Sequence, residues 1–355
     1  MIVTKTPFRI SFFGGGTDYP QWYKKEGGAV LSTSINKHCY ITCRVHPPIP
    51  NIRHRIVWSH IETPNSVEEV LHPAVREALI YLGFDDSIGV EVHHQGDLPA
   101  RSGIGSSSSF AVGLIKALKT VLGDEIDRDG LVREATHLER DILSEVVGSQ
   151  DQIAAAYGGL NVIQFGRDGT YAVTPIDAAP QRIRRLQERL MLFYIGSSRT
   201  ASKIAADQVS NFGDHQETLR RMHRMVDSAR SILEGEENLD AFGELLHEAW
   251  MNKRELSRMV STPLIDHLYA TARQHGALGG KLLGAGGTGF LLLYVPPENQ
   301  HRVGRVFHAY SHVPFTFAEQ GCELIFEGSE HMADNLRWCR DYLKDRPADW
   351  FERPS

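Results

Sequence analysis

A segment rich in glycine and serine, residues 98–118, contains the residue types that bind phosphate. Its sequence, LPARSGIGSSSSFAVGLIKAL, joins a predicted strand to an amphipathic helix marked by Phe110, Leu114 and Leu118. Glycines let the backbone approach a phosphate without a Cβ clash, and the free N–H groups of a helix N-terminus attract an anion. A serine hydroxyl at that point can ligate Mg²⁺. The segment predicts a phosphate-binding loop, although the chain contains no GxxxxGK[ST] and therefore no Walker A loop.

Two further segments carry charged side chains beside turns. In PFRISFFGGGTDYP, residues 7–20, Arg9 could pair with a carboxylate or an anion, and Asp18 could accept hydrogen bonds from sugar hydroxyls. In HLERDILSEVVGSQDQ, residues 137–152, Glu139 lies within a predicted helix and Asp151 lies near the start of the next one, where a carboxylate stays ionised more easily. Such a group suits a base or a metal ligand. For both segments the alternative is structural, because Asp is also a common cap and first-turn residue.

A fourth segment contains a literal GxGxxG at Gly284, Gly286 and Gly289. A dinucleotide-binding fingerprint must follow a strand and open a helix, whereas these glycines precede the apolar run 290–295, which predicts a strand. The segment therefore predicts a loop that approaches a ligand closely, with tight turn geometry as the alternative, and it does not support a nicotinamide dehydrogenase.

Composition limits the class of protein. The chain has 355 residues, 38 Lys and Arg against 44 Asp and Glu, and a net charge of −6, so a general attraction to nucleic acid or anionic lipid is not expected. Its longest strongly apolar run, 290–295, is far shorter than the roughly 20 residues of a spanning helix, and Lys5 and Arg9 interrupt what would be the apolar core of a signal peptide. We predict a cytoplasmic protein with no membrane and no nucleic-acid partner. The four cysteines predict buried neutral thiols at Cys39 and Cys43 and no disulfide framework.

The elements that must position these segments predict an α+β fold. Short strands dominate the first 60 residues, a helix is predicted from a Ser66–Glu69 capping box to Gly83, and another spans about 129–146. Strands are also expected near 160–165, 189–195, 313–317 and 322–326. The polar stretch 177–185 is the candidate boundary between an N-terminal unit, 1–180, and a helix-rich C-terminal unit, 186–345.

The four segments in this order resemble the GHMP kinase superfamily, which includes galactokinase, homoserine kinase and mevalonate kinase, and the resemblance runs from about residue 5 to 330. Residues 98–109 are similar to its Pro-x-x-x-Gly-Leu-Gly-Ser-Ser-Ala loop, with Ile104 and Ser108 as mild departures, and residues 284–289 are similar to its third, glycine-rich motif. The resemblance implies a ribosomal-protein-S5-domain-2-like N-terminal domain and a ferredoxin-like C-terminal domain. It also implies ATP and Mg²⁺ as cofactors.

The resemblance also implies roles for individual residues. Asp151 matches the catalytic base, Arg9 the cation that keeps it ionised, and Ser107 and Glu139 the Mg²⁺ ligands. The implied ATP-binding residues are Pro99, Arg101, Ser102, Gly103, Gly105, Ser106, Ser107 and Ser108. The implied sugar-binding residues are Gly15, Gly16, Thr17, Asp18, Tyr19, Gly286 and Gly287.

One branch of the superfamily is especially similar, on the residues FRISFFGGGTDY, GSQDQIAAAYGGLN and YIGSSRTASKIAADQ. That branch phosphorylates the anomeric hydroxyl of D-glycero-α-D-manno-heptose 7-phosphate on the route to GDP-heptose for capsule or surface glycan. Gly15 and Gly16 replace the Glu-His pair of galactokinases, which argues against galactose. A sugar phosphate needs a second anion site, for which Arg199 and Lys203 are the candidates, with a capped helix bearing solvated charges as the alternative.

Two alternatives remain from the sequence. Another sugar 1-kinase of this superfamily, such as an L-fucose kinase, would share the same motifs, because motifs determine chemistry better than substrate. A non-catalytic sugar sensor on the same fold is opposed by the presence of Arg9, Ser107, Glu139 and Asp151 together. The sequence also leaves open whether the chain forms a homodimer.

Overall fold

Strands and helices are mixed along the residues that the computed structural model describes, which are 1–46, 53–86, 88–196, 201–328 and 341. The strands are β1 (Ile2–Phe13), β2 (Gly28–His46), β3 (Arg55–Val57), β4 (Ile61–Glu62), β5 (Gly89–Gly96), β6 (Leu160–Phe165), β7 (Tyr171–Pro175), β8 (Leu190–Tyr194), β9 (Gly279–Leu282), β10 (Phe290–Tyr294), β11 (Ser311–His312) and β12 (Glu323–Glu327). The helices are α1 (Pro20–Glu26), α2 (Pro73–Tyr81), α3 (Ser106–Leu122), α4 (Arg128–Thr136), α5 (Gln150–Tyr157), α6 (Pro180–Gln187), α7 (Ala201–Ser210), α8 (Gln216–Glu234), α9 (Asp240–Glu255), α10 (Pro263–Gln274) and α11 (Pro297–Val306). A π-helical segment, His137–Ile142, continues α4. The predicted α+β class is confirmed.

The long strand β2 organises the first sheet. It pairs antiparallel with β1 along its length, with β6 through its first half and with β5 through its second half. β3 lies parallel to β5, and β12 pairs antiparallel with the outer edge of β1. Cys39 and Cys43 lie buried on β2, and burial raises the pKa of both thiols, so the prediction of buried neutral thiols is confirmed.

The second sheet is antiparallel, with the order β11-β8-β10-β9 among the described residues. β10 is completely buried because β8 and β9 pair with its two edges and helices cover it. The turn of residues 284–289 leads directly into β10, so these glycines precede a strand, as predicted, and no helix opens there. This placement confirms that the GxGxxG is not a dinucleotide fingerprint.

The second half of the chain packs closely on the end of β1. The ring of Phe242 on α9 makes edge-to-face contacts with Phe12 and Phe13, with centroids 5.4 and 5.1 Å apart. After β11 the chain returns to the first sheet as β12. The division into units 1–180 and 186–345 stays a prediction, and β12 belongs to the sheet of the first unit.

Three details of the predicted elements are wrong. α2 begins at Pro73, where the Nδ1 atom of His72 caps it, while the Glu69 carboxylate accepts from the Asn65 N–H and caps no helix. The helix predicted over 129–146 changes to π-helical geometry at residue 137, where Leu143 N–H donates to the carbonyl five residues earlier. Residues 313–317 form no strand beyond a single bridge from Phe317 to Ile35.

No described helix is both long enough and apolar enough to span a bilayer.

We predict that Gly158→Ala destabilises the fold far more than the matched variant Gly169→Ala. Both glycines have a positive φ, 72° and 89°, which costs an alanine about 1–2 kcal/mol. A Cβ on Gly158 would lie 2.2 Å from the carbonyl carbon of Gln320, whereas a Cβ on Gly169 meets no atom within 4 Å. We expect urea unfolding to give a loss of about 3 kcal/mol or more for Gly158→Ala. Equal losses in the two variants would contradict this assignment.

Candidate active site

The loop between β5 and α3 has the backbone geometry of an anion cradle. Gly103 and Gly105 adopt positive φ angles of 88° and 72°, and Gly105 precedes α3 with no side chain to cap it. The first N–H groups of this 17-residue helix therefore lack side-chain capping. A Cβ on Gly103 would lie 2.4 Å from the carbonyl oxygen of Leu283, so the close approach of the two loops requires glycine. The loop presents free donors and partial positive charge to a phosphate.

The side chains of the predicted phosphate loop divide into two sets. Ser102 is buried and donates to the Pro99 carbonyl at 2.5 Å, and Ser106 Oγ accepts from the Arg101 N–H at 3.0 Å. These contacts shape the loop. Ser107 is exposed at the first turn of α3, and its hydroxyl donates to the Glu139 carboxylate.

Glu139 is a buried carboxylate directly behind the loop. It is 1% exposed and accepts hydrogen bonds from the hydroxyls of Ser107 and Ser108 and from Gln152 Nε2. Burial outweighs these donors and raises the pKa of Glu139 to about 7. The π-helical turn carries this residue, which agrees with the tendency of such turns to occur at functional sites.

The donor set around Glu139 fits Mg²⁺. The described residues contain no cluster of three or more His, Cys, Asp or Glu side chains that could hold a metal by themselves. Mg²⁺ commonly uses one or two protein oxygens and completes its shell with substrate phosphates and water. Ser107 and Glu139 supply such oxygens beside the phosphate loop. In addition, Gln152 Oε1 is buried without a hydrogen-bond donor among the described residues.

Arg9 connects the phosphate loop to Asp151. Its Nε and Nη2 atoms donate to the two carboxylate oxygens of Asp151 at 2.7 and 2.8 Å, and its Nη1 donates to the Gly103 carbonyl at 2.7 Å. Arg9 is 5% exposed and lies on β1, while Asp151 lies in the first turn of α5. The bidentate geometry holds the Asp151 carboxylate in a fixed orientation beside the loop.

The glycine turn after β1 is held by two buried side chains. Asp18 is 1% exposed, and its carboxylate accepts from Gly16 N–H and from Gln150 Nε2, both at 2.9 Å. Burial and the nearby Asp151 charge raise the pKa of Asp18. The Thr17 hydroxyl is fully buried and donates to the carbonyls of Gly14 and Ala29.

These contacts involve two residues of the predicted sugar site. The polar atoms of the Thr17 and Asp18 side chains form hydrogen bonds to protein groups that hold the turn. Gly15 is half-exposed, and the half-buried Tyr19 ring packs edge to face on Phe212 with centroids 5.9 Å apart. Direct contact of residues 15–19 with a sugar stays a proposal.

The third glycine segment meets the phosphate loop through Gly284 and Gly289. A Cβ on Gly284 would lie 2.3 Å from Gly103 Cα, and one on Gly289 would lie 2.4 Å from the Ser102 carbonyl oxygen. Gly286 and Gly287, for which the resemblance implies sugar binding, pack against residues of the second half, where the Gly287 N–H donates to the Val260 carbonyl at 3.0 Å. Their contact with a sugar stays a prediction.

The predicted second anion site is described in part. Arg199 lies outside the described residues. Lys203 is exposed in the first turn of α7. This helix contacts the third glycine segment through Gln208, whose Nε2 donates to the Ala285 carbonyl at 2.5 Å.

Sequence reasoning missed four residues that the structure places around Arg9 and Asp151. Gln150 and Gln152 flank Asp151 on α5 and donate hydrogen bonds to the buried carboxylates of Asp18 and Glu139, respectively. No local sequence pattern indicates these contacts. Lys253 and Lys281 are buried on α9 and β9 near Arg9. A lysine in the apolar run GGKLL was the available signal for Lys281.

Comparisons with known proteins find sequence similarity to kinases. One family model, described as the GHMP kinases N terminal domain, matches residues 65–159, and a second, described as GHMP kinases C terminal, matches residues 225–313. A D-glycero-alpha-D-manno-heptose 7-phosphate kinase from Campylobacter jejuni is 28% identical over 323 residues, which cover 85% of this chain and 91% of that protein. A bifunctional fucokinase/GDP-fucose pyrophosphorylase from Arabidopsis thaliana is 28% identical over 309 residues, which cover 81% of this chain and 29% of that protein.

Solved structures share the fold. The crystal structure of a D-glycero-D-manno-heptose 1-phosphate kinase from Bacteroides thetaiotaomicron superposes with a TM-score of 0.74 at 22% identity, covering 93% of this chain and all of that one. Lactococcus lactis galactokinase complexed with galactose superposes with a TM-score of 0.69 at 20% identity, covering 91% of this chain and 95% of that one.

We predict that Glu139 gives the ligand-free protein a distinct pH dependence. Because its pKa is raised from 4.5 to about 7, the folded state binds this proton more tightly than the unfolded state does. The free energy of unfolding should therefore fall as pH rises from about 4.5 to 7, by up to about 3 kcal/mol from this group.

The test is urea unfolding of the wild type and Glu139→Gln between pH 4.5 and 8. We expect the difference between the two proteins to change across that interval and then to level off. Glu125→Gln, at an exposed glutamate, is the matched control and should follow the wild type. A pH dependence that survives unchanged in Glu139→Gln would contradict the assignment.

Proposed function

This chain belongs to the GHMP kinase family and is an enzyme that phosphorylates a sugar hydroxyl; we propose that it transfers the γ-phosphoryl group of ATP to the anomeric hydroxyl of D-glycero-α-D-manno-heptose 7-phosphate. The products would be ADP and the 1,7-bisphosphate. We place the reaction on a route to GDP-heptose for capsule or surface glycan, in the cytoplasm.

The arrangement of Arg9 carries this proposal. One guanidinium contacts both the carboxylate of Asp151 and the carbonyl of Gly103. The distance between the candidate base and the phosphate loop is therefore fixed. Phosphoryl transfer demands chiefly that the two reactants are aligned and that the developing charge is neutralised. A single rigid connection between the base and the loop meets the first demand.

The reaction then follows from the roles of these residues. Asp151 accepts the proton of the anomeric hydroxyl while the anomeric oxygen bonds to the γ-phosphorus and the bond to the β,γ-bridging oxygen breaks. Arg9 holds Asp151 ionised and oriented. The N–H groups at the start of α3 bind the phosphates of the nucleotide. Mg²⁺, held by Ser107 and Glu139, would neutralise charge on those phosphates.

The identity of the sugar rests on two kinds of support. Gly15 and Gly16 replace the Glu-His pair of galactokinases, which removes side chains suited to galactose. The Campylobacter jejuni relative is named as a heptose 7-phosphate kinase and is similar over 85% of this chain. We assign the distal phosphate to Lys203 in the first turn of α7 and to Arg199, which precedes that helix in the sequence. Similarity to the plant fucokinase makes L-fucose the second candidate acceptor.

We predict that only the heptose 7-phosphate gains an anomeric phosphate when the protein is incubated with ATP and Mg²⁺. Mannose, fucose and galactose are the parallel acceptors, and phosphorus NMR follows the product. Phosphorylation of an unphosphorylated sugar would support the kinase chemistry but contradict the assignment of a distal phosphate site. Absence of ATP consumption with every acceptor would contradict the proposal and favour a sugar sensor.

We predict that Asp151→Asn lowers kcat by about 10³-fold, because the amide cannot take the proton. The dissociation constant of ATP, measured by calorimetry, should change less than about threefold, since Asp151 faces the acceptor and the loop donors remain. Asp141→Asn is the matched control, because Asp141 is exposed and pairs only with His137 among the described residues. Retained turnover in Asp151→Asn would exclude Asp151 as the base.

A further inference from the structure

Two lysines from the second half of the chain are buried next to Arg9. Lys281 on β9 is 5% exposed and donates from Nζ to the Phe12 carbonyl at 2.9 Å. Lys253 on α9 is 8% exposed and donates to the carbonyls of Leu282 and Gly284. Within the described ranges, neither ammonium has a carboxylate oxygen within 4.0 Å. Burying an ammonium without a direct counter-ion costs free energy. Two such groups beside one site therefore indicate a functional requirement.

The contacts of the two lysines differ. Lys253 uses two carbonyls of the third glycine segment, and Gly284 packs on Gly103, so this lysine has a complete structural role. Lys281 has three N–H donors and one acceptor among the described residues, the carbonyl of Phe12 at the end of β1. The glycine turn that contains Asp18 begins two residues after Phe12.

The charges around Lys281 come from every element that packs on this point. Arg9 on β1 and Lys253 on α9 are the cations and Asp18 in the turn is the anion, while Asp151 on α5 acts on Asp18. Arg9 already forms two hydrogen bonds to Asp151. Asp18 therefore lacks a guanidinium partner, although it must remain an acceptor for Gly16 N–H and Gln150 Nε2.

We propose that Lys281 is a positioning residue that supplies the counter-charge for Asp18 and so keeps the turn 14–18 in the conformation that receives the acceptor sugar. The consequence for turnover rests on the proposed function; the charge coupling does not. Lys281 also ties the second sheet to the end of β1, so it brings this charge across from the other half of the chain. Burial and the Asp151 charge push Asp18 towards its neutral form, and the Lys281 charge opposes both.

The proposal predicts a pattern of pH dependence. Burial and Arg9 lower the pKa of Lys281 to about 7, so its charge is present below that pH and is lost as pH rises through it. The KM for the sugar should therefore rise above about pH 7 in the wild type. In Lys281→Arg the cation persists to high pH, and the KM should stay low up to about pH 9.

The kinetic test is a double-mutant cycle of Lys281→Met and Asp18→Asn at pH 6.5. We expect each single variant to raise the KM for the sugar about tenfold and the KM for ATP less than about twofold. The double variant should be no worse than Asp18→Asn, because Lys281 acts through Asp18. Multiplicative losses, or equal losses for ATP and sugar, would overturn the proposal.

A second measurement needs no substrate and separates this proposal from the proposed function. The urea midpoint of the wild type should rise with pH between about 7 and 10.5, because the unfolded lysine keeps its proton longer than the folded one. In Asp18→Asn, which lacks the attracting charge, this rise should begin about one pH unit lower. In Lys281→Met the rise should be smaller, because only the other buried lysine, Lys253, whose pKa burial also lowers, then contributes to it. A rise that begins at the same pH in Asp18→Asn would overturn the coupling, even if the protein phosphorylates no sugar tested.

Discussion

The contact of Arg9 with both Asp151 and the phosphate loop is the constraint on which the rest of the site depends. The Arg9 side chain binds Asp151 and the Gly103 carbonyl, and its main-chain N–H also donates to the Ile104 carbonyl at 3.0 Å. β1 is thus joined to the loop through both backbone and side chain. Because β1 pairs with β2 along its length, the position of the candidate base relative to the phosphates is fixed by the central strands of the first sheet.

Around this contact the fold places more buried charge than a stable core needs. Arg9, Asp18, Glu139, Lys253 and Lys281 are all buried, and Arg9 pairs with the partly exposed Asp151. Burial drives the pKa of Asp18 and Glu139 up and that of the two lysines down, so each group depends on its neighbours to stay charged. A site that holds a polyanion and removes a proton needs such opposed charges, and their cost is offset by the cores of the two sheets.

The local sequence pattern was sufficient to predict the structure of a segment whose own residues determine its conformation. The loop from Leu98 into α3 was predictable, because glycines, serines and a helical apolar stripe follow each other within 20 residues. The start of α2 was not predictable, because Ser66 and Glu69 fit a capping box that the chain does not form, and the helix begins at Pro73, about two turns later. The π-helical turn at Glu139 was also not predictable from the sequence, because its apolar spacing is indistinguishable from that of an α-helix.

The sequence by itself predicted the class of fold and the phosphate loop from residue type and local spacing, whereas the roles of Arg9, Ser107, Glu139 and Asp151 came from the resemblance to the GHMP kinases. Only the tertiary structure decided which of these residues touch, that the Thr17 and Asp18 side chains form hydrogen bonds that hold their own turn, and that Gly284 meets the phosphate loop. It also brought Lys281 to the end of β1, 269 residues away in sequence. The reason is physical: contacts between distant segments depend on sheet register and on the burial of charge, and neither quantity is encoded in the spacing of neighbouring residues.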